Sequence, residues 1–123
     1  MRIFKEDKDG YSSSLNIIDE NNVIVGFDLN SSCCEEFGYK IGEVDRCQEV
    51  LDADNDRLTG YVIDIESFVE NLNGSDEGGE LCFDCIKEGA ETIKFALYNY
   101  HNGYYGHGWS LSKGDDLLKS GSL

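Results

Sequence analysis

The chain has 123 residues with 25 acidic and 10 basic side chains, a formal net charge of −15. That length suits one domain with a single core, and 14 aromatic residues against 40% apolar content argue for a folded protein rather than a disordered acidic one. A field of this sign opposes direct contact with nucleic acid and favours basic partners or solubility.

No apolar run reaches the length of a membrane span, and MRIFKEDKDGYSSS lacks the apolar core of a secretory signal. The expectation is a cytoplasmic, single-domain protein over residues 1–123. Five cysteines, an odd number, fit reduced thiols better than a disulfide framework. Proline is absent, so any exposed sheet edge must be blunted by charge or glycine.

From the N-terminus, Asp9-Gly10 signals a turn. Ser14 to Ile18 and Asn22 to Leu29 read as two strands about the turn Asp19-Glu20-Asn21-Asn22, an antiparallel hairpin. Cys33 and Cys34 would point to opposite faces of an extended segment, and Glu35 and Glu36 would disfavour a thiolate there. In 43–56, Val44, Cys47, Val50 and Leu51 fit one helical face, while Asp52 to Asp56 reads as an acidic turn. Asp52, Asp54 and Asp56 have the spacing of an EF-hand loop, but Arg57 and Ile63 stand where that loop needs glycine and a bidentate glutamate.

Leu58 to Ile65 reads as a strand, Glu66 to Leu72 as a short helix, and Asn73 to Gly79 as a surface loop. Glu80 to Lys87 reads as a strand containing Cys82 and Cys85. Their C-x-x-C spacing is half of a zinc site, but on a regular strand the two thiols face opposite ways. Glu88-Gly89-Ala90 is a turn.

The stretch 91–112 then reads as a hairpin about Asn102-Gly103, the dipeptide suited to a type I′ turn. From Phe95 to Ser112 there is no charged side chain, yet six aromatics. The hairpin register places Tyr98, Tyr100, Tyr105, His107 and Trp109 on one face and Ile93, Phe95 and Leu97 on the other. The first face is the candidate contact surface, the second the candidate core. Residues 113–123 add a turn and a final strand.

The charge is concentrated in the middle: residues 43–91 hold 15 acids and 3 bases. The segments Ser31–Tyr39 and Tyr98–Gly108, with the Ser120-Gly121-Ser122-Leu123 ending, resemble small uncharacterised proteins of bacteria and their phages, grouped as a domain of unknown function. That resemblance implies a mobile-element context, in which small acidic proteins bind host proteins. It brings no catalytic residues.

Together these readings predict a mainly β fold, an antiparallel sheet of six to seven strands with one or two short helices. The expected function is a non-enzymatic acidic module that binds a basic surface of a host protein, an inhibitor or nucleic-acid mimic, without a cofactor. Its binding residues would be Tyr98, Tyr100, Tyr105, His107 and Trp109, with Asp52, Asp54 and Asp56. The alternatives are a zinc-stabilised module using Cys82 and Cys85, and a small-ligand protein or enzyme with a Tyr, His and Trp site.

Overall fold

The structure, a computed structural model, describes residues 1–8, 12–29, 36–72, 79–100 and 107–123. In chain order the elements are β1 (Arg2–Lys8), β2 (Ser12–Ile18), β3 (Val23–Asp28), β4 (Glu36–Ile41), β5 (Val44–Cys47), α1 (Asp52–Arg57) and β6 (Val62–Ile63). A 3-10 turn (Ile65–Ser67) follows, then β7 (Val69–Leu72), β8 (Gly79–Ile86), β9 (Ile93–Tyr100), β10 (Gly108–Lys113) and β11 (Asp116–Ser122).

The mainly β class holds, and the strands divide between two antiparallel sheets. One has the order β1-β2-β3-β10-β11; the other runs β5-β4-β9-β8-β6, with β7 also paired to β8. The physical basis is the period-2 alternation of side chains along a strand. In β3, Val23, Val25 and Phe27 are buried while Ile24, Gly26 and Asp28 are half-buried; β8 alternates in the same way. The buried sets of both sheets meet in one core that joins Leu15, Ile17 and Phe27 to Leu81, Phe83 and Phe95. Phe83 stacks on Phe95 at 5.4 Å between centroids.

The expected hairpin of 91–112 is not formed. β9 lies between β4 and β8, whereas β10 lies between β3 and β11, so the two strands belong to different sheets. Each already has a partner on both edges and has none left for the other. The Asn102-Gly103 turn lies outside the described residues, as do Asp9-Gly10, Cys33-Cys34 and positions 73–78 of the expected loop.

Elsewhere the local readings divide. The β2–β3 hairpin forms as expected, with Ile18 paired to Ile24. Asn22 takes a positive φ of 62°, and buried Asp19 accepts from the backbone N–H groups of Asn21, Val23 and Ile63. Residues 44–47 are a strand rather than part of a helix, and the Asp52 to Asp56 run expected as a turn is α1. Asp52 and Asp54 stand in its first turn, where the helix dipole favours acids. Asp54 is buried and paired with Arg46 at 2.8 Å and 3.0 Å. The Asn55 side chain bonds both the N–H and C=O of Ile3, covering the β1 edge as a neighbouring strand would.

The expected helix Glu66 to Leu72 is one 3-10 turn followed by β7. Together β6 and β7 flank β8 end to end, and the Ser67 hydroxyl fills the gap between them by accepting from Asp84 N–H at 2.8 Å. At the far edge of the other sheet, β11 is blunted by Lys119, Gly121 and a register shift opposite Leu111/Ser112.

Acidity and strands are segregated. The described strands hold nine of the 25 acids and eight of the ten bases, a net charge of −1, against −15 for the whole chain. Strand directions put the β2–β3, β4–β5, β8–β9 and β10–β11 turns at one end of the molecule, tied across the sheets by the bond from Ile63 to Asp19. Exposed Glu20, Glu43, Glu88, Glu91 and Asp115 stand there.

Candidate functional site

Registers fix which side chains share the outer face of the six-stranded sheet. One row runs Lys40–Ala96–Cys82–Val69, the next Gly38–Tyr98–Glu80–Asn71, and Lys94 pairs with Asp84 on the opposite flank. Ala96 and Cys82, the small members, leave a hollow between longer neighbours. The result is an open groove of about 570 Å³, walled by Lys40, Glu80, Lys94 and Asp84. A second hollow of about 520 Å³ adjoins it, sharing Gly42, Glu43 and Lys94 and reaching Tyr61, Arg57 and Glu91 at the acidic end.

Beside the groove is a polar and aromatic cluster. Tyr98 and Tyr100 stack at 4.8 Å, and the Lys40 ammonium lies 5.2 Å and 5.4 Å from their ring centres. Lys40 donates to the Tyr100 hydroxyl at 3.1 Å and pairs with Glu80 at 3.4 Å, and Tyr100 in turn donates to Glu80. The Tyr100 hydroxyl, then Glu80, holds the ammonium pKa above its usual value.

Tyr98 donates to Asp45 at 2.7 Å; burial first, then this bond, pushes its phenol pKa well above the usual range. Burial acts to raise the Asp45 pKa, but the bonds from Tyr98 and the Cys47 N–H outweigh it, and the carboxyl stays below its ordinary value. Cys47 takes φ 53° and folds its carbonyl directly over Gly38.

The predicted contact residues are thus dispersed. Tyr98 and Tyr100 share this face, Tyr98 fully buried beneath its neighbours and Tyr100 half-buried. His107 is fully buried on the opposite side of the sheet, stacked on Phe37 at 4.2 Å, with Nδ1 2.8 Å from the Asp28 carbonyl oxygen. Trp109 packs near Phe68 and donates to Glu70 at 2.8 Å. Tyr105 lies outside the described residues. Asp52 and Asp56 are exposed on α1, while Asp54 is engaged with Arg46.

As their strand spacing predicts, Cys82 and Cys85 face opposite sides of β8, which prevents them from chelating one ion. Burial first, then Glu80, pushes the Cys82 thiol pKa up; burial and Asp19 do the same to Cys85. Neither is poised as a nucleophile. Among the described residues no group of three His, Cys, Asp or Glu side chains is placed to hold a metal ion, and no helix is long and apolar enough to cross a membrane.

Sequence reasoning missed Lys40, Glu80, Ala96 and Lys94 as a group. The alternation in β8 already placed Glu80, Cys82 and Asp84 on one face, but their neighbours come from strands 40 residues away and from β9 in its true register. No protein-family model matches the chain, and no curated protein or solved structure is significantly similar to it.

Proposed function

We propose that the protein is a non-catalytic binding module that takes a basic, extended segment of a partner protein along the outer face of the six-stranded sheet. The observation that carries this reading is the groove over Ala96 and Cys82, adjoined by the hollow at Glu43 and Glu91, in a chain of charge −15. Small floor residues admit a side chain, and the three acids Glu43, Glu80 and Asp84 against the two bases Lys40 and Lys94 leave the walls net attractive to cations. The exposed acids of the adjoining turns would speed encounter with a basic partner by long-range attraction.

The raised thiol pKa of Cys82 and the burial of His107 favour binding over catalysis. In the phage or mobile-element setting implied by the sequence resemblance, the partner would be a host protein and its occupation inhibitory. Selection from a random peptide library tests the reading. Enrichment of extended Lys- and Arg-bearing peptides is expected, with affinity falling as salt rises and at least roughly tenfold with Ala96→Trp, which fills the groove. Absence of enrichment, or binding that a folded Ala96→Trp variant retains, would overturn it.

A further inference from the structure

The outer face of the five-stranded sheet carries a separate signal. Its registers give three rows: Arg2–Ile18–Ile24–Ser112–Leu117, then Phe4–Asn16–Gly26–Ser110–Ser120, and at the far side Glu6–Ser14–Asp28, flanked by Gly108–Ser122. The middle row has no charged residue, and the three rows with their flank hold one base and two acids. Leu117 is 63% exposed, while Ile18, Ile24 and Phe4 are half-buried. Arg2, Glu6, Ser120 and Ser122 are exposed as well, so the face is open to solvent along both of its edge strands.

From this distribution we infer that the face is a self-association surface, and that a second copy of the chain covers it face to face about a two-fold axis. Two bodies of charge −15 repel wherever their acidic ends approach. A sheet face bearing small hydroxyl, amide and aliphatic groups lets them meet with the least repulsion.

At one edge of the face, where Arg2 and Glu6 stand on β1, the charges are also self-complementary. A two-fold axis along the middle row sets Arg2 of each copy opposite Glu6 of the other, and the Ile18 and Ile24 row opposite the row of Ser14 and Asp28. Arg2 lies 5.8 Å from the Phe4 ring centre, and Asn16 reaches Glu6 at 3.5 Å, which places both charged residues on this side of β1.

The area limits the strength. Five strands about 4.8 Å apart and six or seven residues long at about 3.4 Å each make a face of roughly 550 Å², below the ~800 Å² per partner of a standard interface. The dimer is therefore weak and concentration-dependent.

Sedimentation equilibrium of the whole chain, from about 10 µM to about 1 mM, covers the range such an interface spans. A monomer–dimer equilibrium is expected that tightens with salt as the net repulsion is screened. Ser110→Glu, which places like charges near one another across the axis, should weaken it at least tenfold, while Ala96→Glu on the other outer face leaves it unchanged. If Ser110→Glu fails to fold by circular dichroism, Ser120→Glu in the same row makes the same test from an exposed position. A monomer throughout the range, a dimer indifferent to the folded variant, or one dispersed by Ala96→Glu or by salt would overturn the inference. Because the peptide groove lies on the opposite face, its success or failure is read independently.

Discussion

The two outer faces of this sandwich are built from the same alternation and carry opposite chemistry. That of the six-stranded sheet is ionic, aromatic and grooved: Lys40, Glu80, Lys94 and Asp84 surround small Ala96 and Cys82, and Tyr98 is locked beneath Tyr100 and Asp45. That of the five-stranded sheet is nearly neutral, with Ser14, Asn16, Gly26, Ser110 and Ser112 crossing it. Strand pairing sets the frame of both. The alternate residues decide whether a face is held by directed bonds or left open to a flat partner.

A glycine on each face breaks the comparison most sharply. A Cβ added at Gly38 would lie 2.0 Å from the Cys47 carbonyl oxygen, a backbone atom that cannot move without displacing β5. Gly38→Ala should cost roughly 3 kcal/mol or more, or prevent folding, as read from urea denaturation. A normal midpoint would mean that β5 does not close over this face.

Alkaline pH should act next, and on the same half. The described tyrosines Tyr39, Tyr61, Tyr98 and Tyr100 lie in the six-stranded sheet or in the segment leading to it. Burial, then Asp54, pushes Tyr39 up to about 12, and Tyr98 is raised by burial and Asp45. Because the folded pKa exceeds the unfolded one, this stability is fully present below about pH 10 and is lost as pH rises toward the folded values. Tyr39 alone accounts for about 2–3 kcal/mol. Tyrosinate absorbance should therefore appear together with loss of the near-ultraviolet dichroism; ionisation at ordinary pH without unfolding would contradict the burial.

Tyr98→Phe is a gentler probe. Removing the hydroxyl should cost about 1 kcal/mol, since exposed Asp45 regains water, and the Asp45 carboxyl pKa should move up toward its ordinary value in an NMR titration. An unmoved Asp45 would show that the Cys47 N–H alone sets it.

Smallest of all is Gly26→Ala at the centre of the five-stranded face. Its Cβ would meet the Ser110 hydroxyl at 3.1 Å and the Asn16 amide oxygen at 3.6 Å, both on movable side chains, so the change should stay within about 1 kcal/mol. A loss equal to that of Gly38→Ala would show that the neutral face is as tightly closed as the ionic one.

Two of the acids proved to be something other than solvated surface. Asp19 closes a turn and anchors Ile63, and Asp54 holds Arg46 against α1. From sequence they are indistinguishable from exposed Glu20 or Asp52, because burial of a carboxylate depends on donors brought from distant segments.

By itself, the sequence determined what nearest neighbours determine: the β class, the β2–β3 hairpin about Asp19 to Asn22, and the alternation that turns Cys82 away from Cys85. These follow from φ/ψ preferences and a period of two, which need no partner. Only the tertiary structure decided which strands pair. An uncharged run with an Asn-Gly dipeptide indicates strands and a reversal, but two strands share a sheet only if each has an edge to spare. β4 and β8 occupy the edges of β9, and β3 and β11 those of β10. That competition buries His107 and Trp109, separates them from Tyr98 and Tyr100, and assembles the groove from Lys40, Glu80 and Lys94 instead.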